Sequence, residues 1–146
     1  VSELDRSQGE LERARSHREG LLYVAGMLDG EGSVMLTTTM SDTPWRIRPR
    51  VTITNNCFNT LVKCGRILNC GRIEVSPGGD CFRLVIEKRA DIARTLKELL
   101  PFLKIKAKQA RLMLRFLTAV SREAEFRMRD QMRALNRRRK AGGPRK

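Results

Sequence analysis

The chain reads as an α+β domain of order αββαββα, with extra C-terminal helices, and three observations predict it. Residues 46–55 alternate strongly: Ile47, Val51 and Ile53 share one face, and Arg46, Arg48, Arg50, Thr52 and Thr54 share the other. That is the period of a half-buried strand. Two strand pairs bracket turn-forming runs, Ser41-Asp42-Thr43-Pro44 and Pro77-Gly78-Gly79-Asp80. The segment between the pairs, and those after them, place apolar residues at three- and four-residue steps. Two hairpins separated by one helix imply one antiparallel four-stranded sheet with helices against one face.

Residues 1–17 are polar and lack a consistent apolar face, so they are a solvated helical extension or partly disordered. A helix is expected from Arg18 to Asp29, with Gly30 and Gly32 ending it. Residues 33–40 alternate weakly, with Val34, Leu36 and Met40 on one side and Ser33, Met35, Thr37 and Thr39 on the other. Pro49 interrupts the second strand, which places it where no neighbour needs its missing N–H. Residues 56–68 form a helix with Phe58, Leu61, Val62, Gly65 and Leu68 on one side. In the second hairpin Ile73, Val75, Phe82, Leu84 and Ile86 face inward, and Arg72, Glu74, Ser76, Cys81 and Arg83 face outward. Residues 91–100 form a helix packed through Ile92, Leu96, Leu99 and Leu100 and stopped by Pro101. Helices follow at 104–120, with Ala110, Met113, Leu114 and Leu117 inward, and at 121–135. The domain is assigned to residues 18–136, between a polar extension (1–17) and a basic tail (137–146).

The 146 residues carry a net charge of +14, with 30 Lys and Arg against 16 Asp and Glu. Six of the positive charges lie in residues 137–146, and residues 1–19 are net −1, so the intervening body keeps +9. A basic folded body, rather than a basic tail alone, points to a polyanion as partner. The outward sheet face concentrates this charge. Ser33, Met35, Thr37, Thr39, Arg46, Arg48, Arg50, Thr52, Arg72, Glu74, Ser76 and Arg83 are candidate DNA contacts; a solvated sheet face is the plainer reading. A two-stranded ribbon fits the major groove of B-DNA, where arginine takes two acceptors of guanine. Cys57, Cys64, Cys70 and Cys81 lack the spacing of a zinc site, and His17 is the sole histidine and a surface candidate. Buried free thiols in a reducing compartment are expected. No apolar run approaches the ~20 residues that span a bilayer, and the start does not resemble a signal peptide.

The most informative stretch is Val24-Ala25-Gly26-Met27-Leu28-Asp29-Gly30-Glu31-Gly32. Val24, Met27 and Leu28 can bury, while Ala25 and Gly26 allow close backbone approach. The Asp-Gly-Glu-Gly end stops a helix and sets carboxylates at its tip. A carboxylate at the tip of a packable helix, in a chain of net charge +14, is a candidate to hold a metal against a phosphate. Asp29 is either a second reacting acid or a helix-end residue that hydrogen-bonds nearby backbone, and the latter is favoured.

This nonapeptide resembles the LAGLIDADG motif, and the element order resembles the fold of the LAGLIDADG homing endonucleases. The Pro101-Phe102-Leu103-Lys104-Ile105-Lys106-Ala107-Lys108-Gln109-Ala110 segment resembles a second recurring segment of the single-motif members, so the likeness spans roughly residues 20–120. The resemblance implies a homodimer whose motif helices pack together and whose two sheets form a saddle over a long near-palindromic DNA site. It implies an enzyme of intron homing: a magnesium-dependent double-strand DNA endonuclease leaving 3′ overhangs. Glu31 takes the metal-binding position, with the Gly30 carbonyl beside it; many members carry Asp there. Lys106 matches a basic position near the scissile phosphate, and Asn55 a polar position that orients solvent. Asn59 is a weaker match, since the family more often shows a basic residue nearby. The expected dimer interface comprises Leu22, Ala25, Gly26 and Asp29. Lys104, Lys108, Arg111 and Arg115 form a basic stripe that either contacts phosphates or is solvated. The alternative is a non-cleaving protein of the same fold, an RNA maturase or a DNA-binding regulator; RNA is a partner only in that reading. An intracellular setting is expected, bacterial cytoplasm or organelle, with 22 Arg against 8 Lys hinting at a GC-rich genome.

Overall fold

A computed structural model describes residues 2–39 and 46–141, with side chains to Arg137. The expected turn at 41–44, and Met40, lie outside the described residues. The elements run α1 (Glu3–Glu31), β1 (Gly32–Thr39), β2 (Arg46–Asn55), α2 (Phe58–Leu68), β3 (Arg72–Val75), β4 (Phe82–Ile86), α3 (Arg89–Leu99), a 3₁₀ turn (Leu100–Phe102), α4 (Ala107–Leu117) and α5 (Arg122–Ala141). The sheet is antiparallel with order β1-β2-β4-β3. This is the α+β architecture predicted from the alternation.

The first helix begins much earlier than Arg18. Ser2 caps it by accepting the Asp5 amide at 3.2 Å, and Glu3 and Asp5 place negative charge in the first turn. Good helix formers then carry 29 residues without an apolar face in their first half. The helix ends at Gly32, whose N–H bonds the Leu28 carbonyl. A Cβ there would lie 2.4 Å from the Leu28 side chain, so close packing, and not an unusual φ, demands glycine. In the β3–β4 turn, Gly78 and Gly79 adopt φ of 122° and 75°, a region that side chains disfavour.

The core lies between the sheet and the helices. Val24, Leu28, Val34, Leu61, Leu84, Ile92, Leu96, Met113 and Phe116 are essentially inaccessible. Helix α2 turns Leu61, Cys64 and Leu68 inward, so Phe58, 47% exposed, leaves the expected core face. Val75, at the free edge of β3, is likewise 59% exposed. In α4 the buried set is Gln109, Ala110, Leu112, Met113 and Phe116, with Leu114 and Leu117 half-buried. Pro49 pairs with Leu36 on β1 but lies past the last β2–β4 pair, Val51 with Ile86. Its side toward β4 needs no donor, as its ring requires.

Strand β1 is a sheet edge, and α5 covers it. Met132 is buried, Asn136 Nδ2 donates to the Val34 carbonyl at 3.2 Å, and Arg129 Nη1 donates to Thr38 Oγ1 at 3.0 Å. Asn136 thus occupies a backbone carbonyl of the edge strand, and Arg129 pins α5 to it through the Thr38 side chain. No helix among the described residues is long and apolar enough to cross a membrane.

Candidate active site and nucleic-acid face

The site is built around the end of α1. Asp29 is buried, and its carboxylate accepts three consecutive backbone amides: Lys104 at 2.8 Å, Ile105 at 3.1 Å and Lys106 at 2.9 Å. This clasp turns the chain after the Leu100–Phe102 turn and starts α4 at Ala107, three residues later than the apolar spacing suggests. Lys106 completes it by donating Nζ to the Asp29 backbone carbonyl at 2.9 Å. Lys106 is 2% exposed. Its ammonium therefore bonds the carboxyl end of α1, where a cation offsets the helix dipole.

Glu31, two residues further, is exposed. Asn55, at the end of β2, donates Nδ2 to Glu31 Oε2. The Cys57 amide donates to Asn55 Oδ1 at 2.7 Å. Together these bonds fix the amide, since the N–H of Cys57 needs the oxygen and the carboxylate needs the NH₂ group. The pairing joins α1 to β2, so two residues 24 apart in sequence meet at the root of the sheet. Gly30 lies among the last helical carbonyls, which have no intrahelical donor. Asn59 is exposed in the first turn of α2.

The outward sheet face is less open than the arginine count suggests. Arg50 Nη2 reaches Glu74 Oε1 at 2.8 Å, and Arg83 Nη2 reaches the same oxygen at 2.9 Å. Arg72 holds Glu87 through two bonds, at 3.2 and 3.1 Å. Arg50 also approaches Glu87, and Arg72 approaches Glu74, each at 3.5 Å. Arg50, Glu74, Arg72 and Glu87 thus close a ring of alternating charge, with Arg83 attached at Glu74. The Arg72 hydrogen bond holds the Glu87 carboxyl below its usual range, and the reciprocal bond raises Arg72. Beneath the ring lie Thr52 and Val85, 5% and 1% exposed. Thr52, expected among the DNA contacts, is therefore covered in this structure. Arg46 and Arg48 are exposed toward the far end of β2, Ser33, Met35, Thr37 and Thr39 are half-buried along β1, and Ser76 is half-buried beside the β3–β4 turn. Glu87 and Val85 escaped the sequence reading, although the two-residue alternation from Arg83 through Val85 to Glu87 placed them on this face.

The expected dimer residues divide. Leu22 is 48% exposed, and a Cβ on Gly26 or Gly30 would meet nothing within 4 Å. These three form an open stripe along α1. Ala25 and Asp29, 1% and 7% exposed, face the chain's own core and leave the expected interface. Lys104, Lys108, Arg111 and Arg115 are all exposed. The thiols are free: Cys64 is buried, and burial raises its pKa. Cys57 is exposed, contrary to expectation, and its hydrogen bond with the Thr60 side chain lowers its pKa. His17 lies on the surface, 3.3 Å from Glu98.

No protein-family model and no curated protein sequence matches the chain. Solved structures do. The homing endonuclease I-CvuI, solved with a DNA target in the presence of Mg, superposes with a TM-score of 0.73 at 18% identity, covering 82% of this chain and 83% of its own. The archaeal intron-encoded homing endonuclease I-Vdi141I, complexed with DNA, gives 0.71 at 15% identity, covering 79% and 82%. The homing endonuclease I-TnaI gives 0.64 at 16% identity, covering 81% and 96%. The LAGLIDADG homing endonuclease I-GzeII, also with a DNA target, gives 0.62 at 19%. A four-stranded sheet of order β1-β2-β4-β3, entered from a helix that ends in Asp-Gly-Glu-Gly, is thus the fold of the single-motif LAGLIDADG homing endonucleases.

Proposed function

We propose that this protein is a site-specific double-strand DNA endonuclease of the homing type, acting as a homodimer with Mg²⁺. The observation that carries the proposal is Glu31: an exposed carboxylate at the tip of α1, oriented by Asn55, where the arginine-bearing face begins. The donors there are all oxygen, the Glu31 carboxylate and the Gly30 carbonyl, which suits Mg²⁺. Among the described residues no three His, Cys, Asp or Glu side chains cluster. Glu31 and the Gly30 carbonyl are thus the residues of this chain that would hold the ion. Bound there, Mg²⁺ would stabilise charge on the phosphodiester oxygens and favour ionisation of water.

The chain's own residues do the remaining work. Asn55 aims the Glu31 carboxylate. Asp29 and Lys106 hold the end of α1 against α4, so Lys106 positions the site from behind. Leu22, Gly26 and Gly30 let a second copy approach across a two-fold axis, as close helix packing requires. Two Glu31 carboxylates then meet near both scissile phosphates of a near-palindromic site, and cleavage on each strand leaves 3′ overhangs. The half-buried and exposed arginines of the sheet face, Arg46, Arg48, Arg50, Arg72 and Arg83, lie along the major groove.

The test is cleavage of a randomised duplex pool with Mg²⁺ and with EDTA, using wild type and Glu31→Gln. Cleavage by wild type with Mg²⁺ alone, and retained binding without cleavage by the variant, are expected. Equal cleavage by the variant would sink the metal-site assignment. Sequence-selective binding without cleavage under any metal would instead favour the non-cleaving reading.

A further inference from the structure

Three positive and two negative side chains share the centre of the sheet face, and the negative pair has no place in a simple account of DNA attraction. Glu74 stands opposite Arg83 in the β3–β4 register. Its Oε1 alone takes Nη2 of both Arg50 and Arg83, at 2.8 and 2.9 Å. Glu87 takes both Nη atoms of Arg72. The five groups carry a net charge of +1 where the arginines alone would carry +3.

Two physical consequences follow. The ring restrains long, flexible side chains: Arg50 and Arg83 have side chains only 26% and 30% exposed, laid over buried Thr52 and Val85. Such restraint removes rotamer entropy before DNA arrives. The Glu74 contact also spends one of the five donors of each guanidinium, leaving others for the acceptors of a base edge. Second, a phosphate that draws one of these arginines away must replace a carboxylate already paired with it. Arbitrary DNA therefore gains little from these arginines. A guanine in register, approached by a preset fork, gains a bidentate contact without breaking the ring.

We propose that Glu74 and Glu87 are specificity-determining positioning residues, which hold Arg50 and Arg83 as preset base readers and withhold them and Arg72 from phosphates. The idea rests on the DNA-binding reading above. It makes Glu74, expected as a DNA contact itself, a counter-ion that acts through its arginines, and it adds Glu87.

The test uses the full chain as wild type, Glu74→Gln and Glu87→Gln. Glutamine keeps the size and a hydrogen-bonding oxygen but removes the charge, and Glu87 is exposed enough that its variant carries little folding risk. Binding to a random-sequence duplex is measured over a range of salt concentrations, and preferred sites are selected from a randomised pool. Each released arginine that finds a phosphate steepens the salt slope by about 0.9 and tightens random-duplex binding roughly 5–10-fold near 0.1 M salt. The sites selected by the variants should lose preference at the positions read by the freed arginines. Unchanged random-duplex affinity, slope and selected sites in both variants would overturn the proposal. So would equal weakening on all DNA, which would make the glutamates merely structural. Failure of wild type to bind either duplex population would instead remove the DNA-binding reading beneath it.

Discussion

Asp29 and Lys106 hold each other reciprocally: the Asp29 carboxylate accepts the Lys106 amide at 2.9 Å, and Lys106 Nζ returns to the Asp29 carbonyl at 2.9 Å. With the amides of Lys104 and Ile105, this clasp ties the tip of α1 to the start of α4. Replacing Asp29 by Ala leaves three buried or half-buried backbone amides without their acceptor, while Lys106 Nζ keeps the backbone carbonyl. We expect a loss of about 3–5 kcal/mol, as when one partner of a buried charged network is removed, measured by urea unfolding. Lys106→Met should cost less, because its aliphatic body still fills the space. A surface-like change below about 1 kcal/mol for Asp29→Ala would deny the clasp its structural role.

Asn55 touches the Glu31 carboxylate and is oriented by the Cys57 amide. Outer-shell partners of a ligand commonly matter 10–100-fold in metal affinity or activity. Asn55→Ala should therefore raise the Mg²⁺ concentration needed for half-maximal cleavage by at least about tenfold. DNA affinity measured in EDTA should stay the same. An unchanged Mg²⁺ requirement would show that Glu31 does not depend on this bond.

Gly26 lies on the open side of α1 with no neighbour within 4 Å of a Cβ. Gly26→Arg therefore does not disturb one chain's packing but blocks a close helix–helix approach. Sedimentation should show wild type as a dimer and the variant as a monomer with its far-ultraviolet spectrum intact. A dimeric variant would place the subunit contact elsewhere.

Arg48 is exposed on β2, and its charge helps to lower the Glu87 pKa. Arg48→Ala should weaken binding by ~1–3 kcal/mol and relax preference at one position per half-site if it reads a guanine. Equal weakening on every sequence, with a shallower salt slope, would assign it to a phosphate.

The Arg72 hydrogen bond lowers the Glu87 pKa from its ordinary value of 4.5. A carboxylate depressed in the folded state contributes stability that is present above its unfolded pKa and lost as pH falls through the folded one. Thermal unfolding of wild type and Glu87→Gln should therefore differ most at neutral pH and converge in the acidic range below 4.5. The difference should be small, since both side chains are about half exposed. Divergence on acidification would contradict the pairing.

By itself, the sequence determined the sheet, the hairpins and the motif helix with carboxylates at its tip, and the family resemblance singled out Glu31 among them. The elements follow from local rules: alternation sets which strand residues face the core, and small residues with glycines set where a helix can be approached and where it ends. The resemblance named Glu31 and Asn55 as site residues, but the bond between them came only with the tertiary structure. Tertiary packing decided the rest. It sorted Leu22, Gly26 and Gly30 to the outside of α1 and Ala25 and Asp29 to the inside, because the rotation of a helix is set by what packs against it. The exposed first half of α1 owes little to packing: with the Ser2 cap and an acidic first turn it is the solvated helical extension that the sequence offered as one of two readings. Tertiary packing buried Lys106, which spacing alone leaves among exposed lysines, because the Asp29 carboxylate draws three successive amides toward the end of α1. It also turned an arginine-rich face into a closed ring with Glu74 and Glu87. Pairing of charges depends on cross-strand register, which brings together residues up to 37 positions apart in the chain.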